Sequence, residues 1–194
     1  MKGKEVKLIS TSVFAATTLY ATLRYNVFKG VLWADWSTYV LNKSFALSAM
    51  TLLTIDVFRR RRTLGNDRHV LQMAGLFAAI HIVLSLILLS PAYYEKLYDQ
   101  GKLTALAGTA LALGAIAATT LSFGGSHIPA SRPHRTSRKL AFLGFVIGVH
   151  AALQGFTGWF SPLKWPGIMP PITLISFLLG IVVLLAGLWP TRTA

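Results

Sequence analysis

Six apolar stretches follow one another along this chain, separated by short polar connections. They run over about Leu8–Phe28, Ser37–Phe58, His69–Ser90, Leu103–Phe123, Leu140–Phe160 and Pro171–Trp189. Each is near the ~20 residues that a bilayer requires of a helix. The chain is 54% hydrophobic and only 13% charged over 194 residues, more apolar material than a globule of this size could bury within itself. The expected fold is all-α, a polytopic six-transmembrane-helix bundle forming one domain over residues 1–194. No internal repeat divides it.

A net charge of +13 in a soluble domain would point to nucleic acid. Here the cations gather in the short connections, so they read as a topology signal and exclude a nucleic-acid function. With the N-terminus inside, the inner segments hold Lys2, Lys4 and Lys7, then Arg59 to Arg62 with Arg68, then Arg132, Arg135, Arg138 and Lys139, then Arg192. The outer segments hold Arg24, Lys29, Lys43, Lys96, Lys102 and Lys164. Thirteen of the 19 cations on one side gives N-in/C-in.

Trp33, Trp36 and Tyr39, then Tyr93, Tyr94 and Tyr98, then Trp159, Phe160 and Trp165 fall at the opposite interface, as an aromatic belt would. Breaker residues mark the outer connections at Pro91, Asp99-Gln-Gly101, Pro162 and Trp165-Pro-Gly167. Gly124 to Lys139, with Pro129 and Pro133, reads as a flexible basic inner loop near anionic head groups. The first apolar stretch runs to Leu23 without a small-residue cleavage site and reads as a retained helix. The expected location is the bacterial inner (plasma) membrane, multi-pass.

With no cysteine, disulfides, thiolate-ligated zinc, iron–sulfur clusters and dithiol relays are excluded, so redox chemistry would need a bound cofactor. No Ser-His-Asp set, P-loop, dinucleotide fingerprint or paired catalytic carboxylates occur. The chain therefore lacks its own flavin or nicotinamide site. Asp56 lies near Arg59 and Arg60, where an ion pair or helix-end contact is expected.

Five histidines remain. His127 and His134 lie in the basic loop as solvated residues, and His69 follows Asn66-Asp67-Arg68 at a helix start, in an interfacial or capping position. His81 and His150 differ from these. Each is embedded in an odd-numbered span, the two spans run parallel, and the histidines stand 13 residues after Arg68 and 11 after Lys139. At ~1.5 Å per residue those are depths of roughly 20 and 17 Å.

Polar side chains at that depth mark function by default. Such a pair can be axial ligands of one metal group or hydrogen-bonded core residues, with Ser85, Thr109, Thr119 or Thr120 as partners. Zinc would want three or four protein ligands, and no acid or cysteine at this depth completes the set. A heme supplies four equatorial nitrogens itself, so His81 and His150 suffice as iron ligands. Ala74, Gly75, Ala78 and Ala79 precede His81, and Gly144, Gly148, Ala151, Ala152 and Gly155 surround His150. They would give a flat macrocycle room, and would equally serve ordinary close helix packing.

Arg62-Thr-Leu-Gly65 leading to His81, Gly108 to Phe123 with Thr119-Thr-Leu-Ser122, and Arg138-Lys-Leu leading to His150 together resemble the ferric reductase-like transmembrane domain. That domain is shared by ferric reductases, NADPH oxidases and the heme-binding membrane subunit of the bacterial methionine sulfoxide reductase system. The resemblance covers about 59–160. It implies b-type heme between the third and fifth helices, and electron transfer from a flavoprotein or quinol to an acceptor across the membrane. Several members hold a second heme on histidines 13 or 14 residues earlier on each helix. Here those positions are Asp67 and Ser137, with His69 and His134 near but out of register, which implies a single heme b in the outer half.

The expectation is a membrane cytochrome b carrying electrons through one bis-histidine heme, with His81 and His150 as cofactor- and metal-binding residues. It would belong to an oxidoreductase and draw on a separate flavoprotein or quinol. The basic inner segments could steer an acidic partner. The alternative is a non-enzymatic scaffold or small transporter without heme.

Overall fold

The computed structural model describes residues 3–61, 68–124 and 133–189. Its order is α1 (Gly3–Thr22), α2 (Leu41–Arg61), α3 (Arg68–Ile87), α4 (Ala105–Gly124), α5 (Pro133–Gly155) and α6 (Ile172–Leu188). Six helices are long and apolar enough to cross a membrane, consistent with an integral membrane protein. A helix suits such a medium because it satisfies its backbone N–H and C=O groups within one segment. Outward faces carry large apolar side chains, among them Leu8, Leu19, Leu86, Ile116, Phe142 and Leu185. In water such faces would be unstable; against lipid they cost nothing.

α2 is the central helix and packs against α1, α3, α5 and α6. Its Leu52, Leu53 and Val57 are fully buried. Shielding by neighbours lets it also bury Asn42, Ser44, Ser48, Asp56 and Arg60, which a lipid-facing helix could not carry. Thr17 of α1 and Ser48 of α2 share a hydroxyl hydrogen bond of 2.6 Å. Phe14, Phe45 and Phe77 pin α1, α2 and α3 together, with ring centroids 4.7 to 5.5 Å apart.

α5 and α6 pack closely because glycines face each other. A Cβ on Gly148 would stand 3.3 Å from the Gly180 Cα, and one on Gly180 would stand 3.0 Å from the Gly144 carbonyl oxygen. Gly75 does the same for α3 and α4, since its Cβ would meet Ser122 Cα at 2.9 Å. The Ser122 hydroxyl donates to the Gly75 carbonyl at 2.9 Å. These glycines thus serve helix packing.

At one end of the bundle, here the basic end, Arg60 holds Asp56 at 2.5 Å in a buried i,i+4 pair, and Arg61 donates to the Trp189 carbonyl. At the other, aromatic end, π-helical turns at Leu23–Phe28 and Trp36–Val40 finish α1 and open α2. There Arg24 donates to the Met169 carbonyl and the Tyr20 hydroxyl to that of Pro170 at 2.6 Å, tying α1 to the approach of α6. Between α3 and α4 a small antiparallel hairpin, β1 (Tyr98–Asp99) with β2 (Lys102–Leu103), turns on Gln100 and Gly101. Both have positive φ, 46° and 77°, as a tight two-residue hairpin turn demands.

All six expected spans fall within several residues of the observed helices, with the largest offsets in the first, Gly3–Thr22 against Leu8–Phe28, and the fifth, Pro133–Gly155 against Leu140–Phe160. Residues 133–139, expected in a loop, are therefore helical. Polarity ends the hydrocarbon-compatible stretch without ending the helix, and proline is well suited to the first helical position. Residues 125–132, with His127, lie outside the described residues.

Candidate functional site

α3 and α5 bring His81 and His150 to the same end of the bundle, six residues before Ile87 and five before Gly155. These are rises of ~9 and ~8 Å from the aromatic ends of their helices. α3 packs on α2 and α4, and α5 on α2, α4 and α6, so α2 and α4 are the neighbours shared by the two histidine helices.

Each imidazole is anchored through Nδ1. His81 Nδ1 lies 2.5 Å from the Asn42 amide oxygen and 3.2 Å from the Asn42 backbone oxygen. A backbone carbonyl can only accept, so the Nδ1 proton is fixed and Nε2 is left with a lone pair. His150 Nδ1 donates to the Ala110 carbonyl of α4 at 2.5 Å, again leaving Nε2 as an acceptor. Among the described residues, hydrogen bonds to His81 all run through Nδ1. His150 Nε2 accepts from the Gln154 amide at 3.1 Å.

Each histidine has a polar residue one turn further on, Ser85 and Gln154. Ser85 donates to the Asn42 amide oxygen at 3.2 Å. The Asn42 amide nitrogen donates to the Tyr94 hydroxyl at 3.1 Å, and Lys43 Nζ donates to the same oxygen at 3.2 Å. Asn42 is completely buried. Gly114 of α4 lies under the His150 ring, where a Cβ would come within 2.6 Å of the imidazole Cε1.

Of the four candidate hydroxyls, Ser85 is engaged beside His81, 3.4 Å from its Nδ1. Thr109, Thr119 and Thr120 bond back to carbonyls of their own helix, at 2.9, 2.8 and 2.7 Å. His69 is exposed in the first turn of α3, with Nδ1 3.0 Å from the Gln72 amide oxygen, far along the helix from His81. His134 stands in the first turn of α5, and its side chain lies outside the described residues. Asp67 also lies outside them, and Ser137 is buried on α5.

Asn42 and Gly114 escaped the sequence reading. Asn42 had a signal, being an amide inside an apolar span. Gly114, Ala110 and the ring they hold had none, since only the α4–α5 packing selects them. No group of three or more His, Cys, Asp or Glu side chains converges among the described residues. Compared with family models, curated proteins and solved structures, the chain matches none.

Proposed function

We propose that this chain is a membrane cytochrome b of the ferric reductase-like kind, holding one heme b between α3 and α5 with His81 and His150 as axial ligands. The single observation that supports it most is the matched tethering of the two imidazoles. Each has its Nδ1 against a backbone carbonyl oxygen, which makes Nδ1 the protonated nitrogen and leaves Nε2 with a lone pair. Metal-bound histidines have this arrangement, with the second nitrogen tethered to fix ring orientation and raise basicity. Two neutral imidazoles without an acid or thiolate suit an iron already held by four ring nitrogens.

A heme bound there would supply a one-electron couple in the aromatic half of the bundle. The chain's own residues would do the rest. Asn42 and the Ala110 carbonyl orient the imidazoles, and Gly114 leaves His150 its place. The lipid-facing apolar shell excludes water. Gln154 would turn away from Nε2 when His150 takes a ligand. Electrons would come from a separate flavoprotein or quinol and leave to a separate acceptor. The positive-inside distribution supports an N-in/C-in orientation, and this reading assigns the chain to a bacterial inner membrane. The basic end then faces a cytosolic donor, with Arg138 and Lys139 exposed on α5.

A second reading, a scaffold or small transporter without heme, draws on one specific observation. Both ring nitrogens of His150 already have partners within the chain, Ala110 and Gln154. A reduced-minus-oxidised visible spectrum of detergent-purified protein separates the two. Sharp b-type bands in wild type, lost in His81→Ala and in His150→Ala, are the expected result. A colourless protein after heme is supplied during expression selects the second reading.

A further inference from the structure

Three hydrogen-bond donors converge beside His81 without an acceptor to receive them all. The Tyr94 hydroxyl oxygen accepts from the Asn42 amide at 3.1 Å and from the Lys43 ammonium at 3.2 Å. Both of its lone pairs are then in use, and its own O–H is still to be donated. The Lys43 ammonium has three N–H groups, of which Tyr94 takes one. The Asn42 amide oxygen already serves His81 and Ser85.

Charge points the same way. Among the described residues the one ion pair, Asp56 with Arg60, is at the opposite end of the bundle. Lys43 instead lies over the rings of Tyr39 and Tyr94, at 5.1 and 4.8 Å. Tyr39 meets Tyr25 edge-on at 5.5 Å, and over Tyr25 stand Arg24 and Lys29 at 5.6 and 5.8 Å. Three cations share one tyrosine ladder. Asp35 accepts from Tyr93 at 2.9 Å. A half-buried ammonium inside an apolar span is costly without a counter-charge.

We infer that Lys43 and the Tyr94 hydroxyl form a carboxylate-binding site beside His81, and that its occupant is a carboxylate of the heme whose iron His81 ligates. The occupant rests on the heme reading; the site itself rests on the surplus of donors. A carboxylate there takes the Tyr94 O–H and a Lys43 N–H, and it turns an unmatched cation into a charge-assisted pair. The cofactor would thereby be held at its iron and at its rim by neighbouring elements, α3 and the start of α2.

The test is titration of the full-length chain, purified in detergent without cofactor, with hemin and with hemin dimethyl ester, whose carboxylates are blocked. Lys43→Met is expected to weaken hemin about tenfold and to leave ester binding as in wild type, with Lys43→Arg restoring hemin and Tyr94→Phe intermediate. Equal binding of hemin and ester by wild type, or equal weakening of both by Lys43→Met, overturns the inference while leaving the heme reading in place. If wild type takes up neither compound, the heme reading fails, and thermal unfolding in sodium acetate against sodium chloride at one ionic strength decides the site. A stabilisation by acetate that Lys43→Met abolishes supports a carboxylate site filled by a free anion; no such stabilisation overturns it.

Discussion

Asn42 and His81 are joined by a 2.5 Å hydrogen bond between the histidine Nδ1 and the asparagine amide oxygen, and Asn42 is inaccessible to solvent. One amide thereby connects α2 to α3, fixes the imidazole tautomer and passes its other end to Tyr94. Asn42→Ala would leave the imidazole with the more distant backbone oxygen. It is expected to cost about 1–3 kcal/mol of stability and to weaken heme binding by roughly 10–100-fold. Thermal unfolding and hemin titration of the same preparation measure the two effects. Unchanged affinity in a folded variant would remove Asn42 from the ligand assembly.

Gly114 gives a paired test on α4. A methyl at this position would press into the His150 ring at 2.6 Å, whereas one at Gly108 meets nothing within 4 Å. Gly114→Ala should lower stability by about 1–3 kcal/mol and shift the bands of any bound heme. Gly108→Ala should leave both as they are or raise the melting temperature slightly. Identical behaviour of the two variants would mean that the ring does not rest on Gly114.

Helix α6 is held to α5 through backbone contact at Gly180, where a Cβ would lie 3.0 Å from the Gly144 oxygen and 3.2 Å from the Gly148 Cα. Backbone atoms cannot yield as a side-chain tip can, so Gly180→Leu forces the helices apart. Accessibility to limited proteolysis should rise in the connection at Pro162–Ile168, and stability should fall by about 1–3 kcal/mol. A native proteolysis pattern would contradict this packing.

At the basic end, Asp56 and Arg60 are buried as a pair. Replacing one partner leaves a charge in the interior, so Asp56→Leu should cost about 3–5 kcal/mol. The double variant Asp56→Leu/Arg60→Met should lose less, because no lone charge remains. A double-mutant cycle by denaturant or thermal unfolding reads the difference, and strict additivity would argue against the coupling.

The exposed hydrogen bond from Tyr93 to Asp35 has a pH signature. Donation to the carboxylate, and the repulsion a phenolate would feel from it, raise the Tyr93 pKa above its ordinary 10.0. The neutral phenol is the form favoured in the folded state. Its contribution is complete below pH 10.0 and is lost as pH rises through the higher folded value. The difference titration between wild type and Tyr93→Phe should therefore have its midpoint above 10.0, and Asp35→Asn should bring it back. A midpoint at the ordinary value in the parent would exclude the bond in solution.

The number of helices and their approximate bounds were legible because hydrocarbon imposes length and composition on each span separately. His81 and His150 stood out for the same reason, as polar groups in segments that should have none. The Asp56–Arg60 pair was also visible, being local and one helical turn apart. Partnership between helices was not legible in the chain. The glycines flanking the histidines in sequence proved to serve α3–α4 and α5–α6 contact, while the glycine that accommodates the His150 ring came from α4. The start of α5 at Pro133 was hidden because hydropathy reports where a helix meets lipid, and a helix can continue into polar surroundings. Sequence alone determined which segments are apolar and which residues are out of place in them. Tertiary structure decided that Asn42, the Ala110 carbonyl and Gly114 are what the two imidazoles meet, since only packing brings together backbone and side-chain atoms separated by about forty residues.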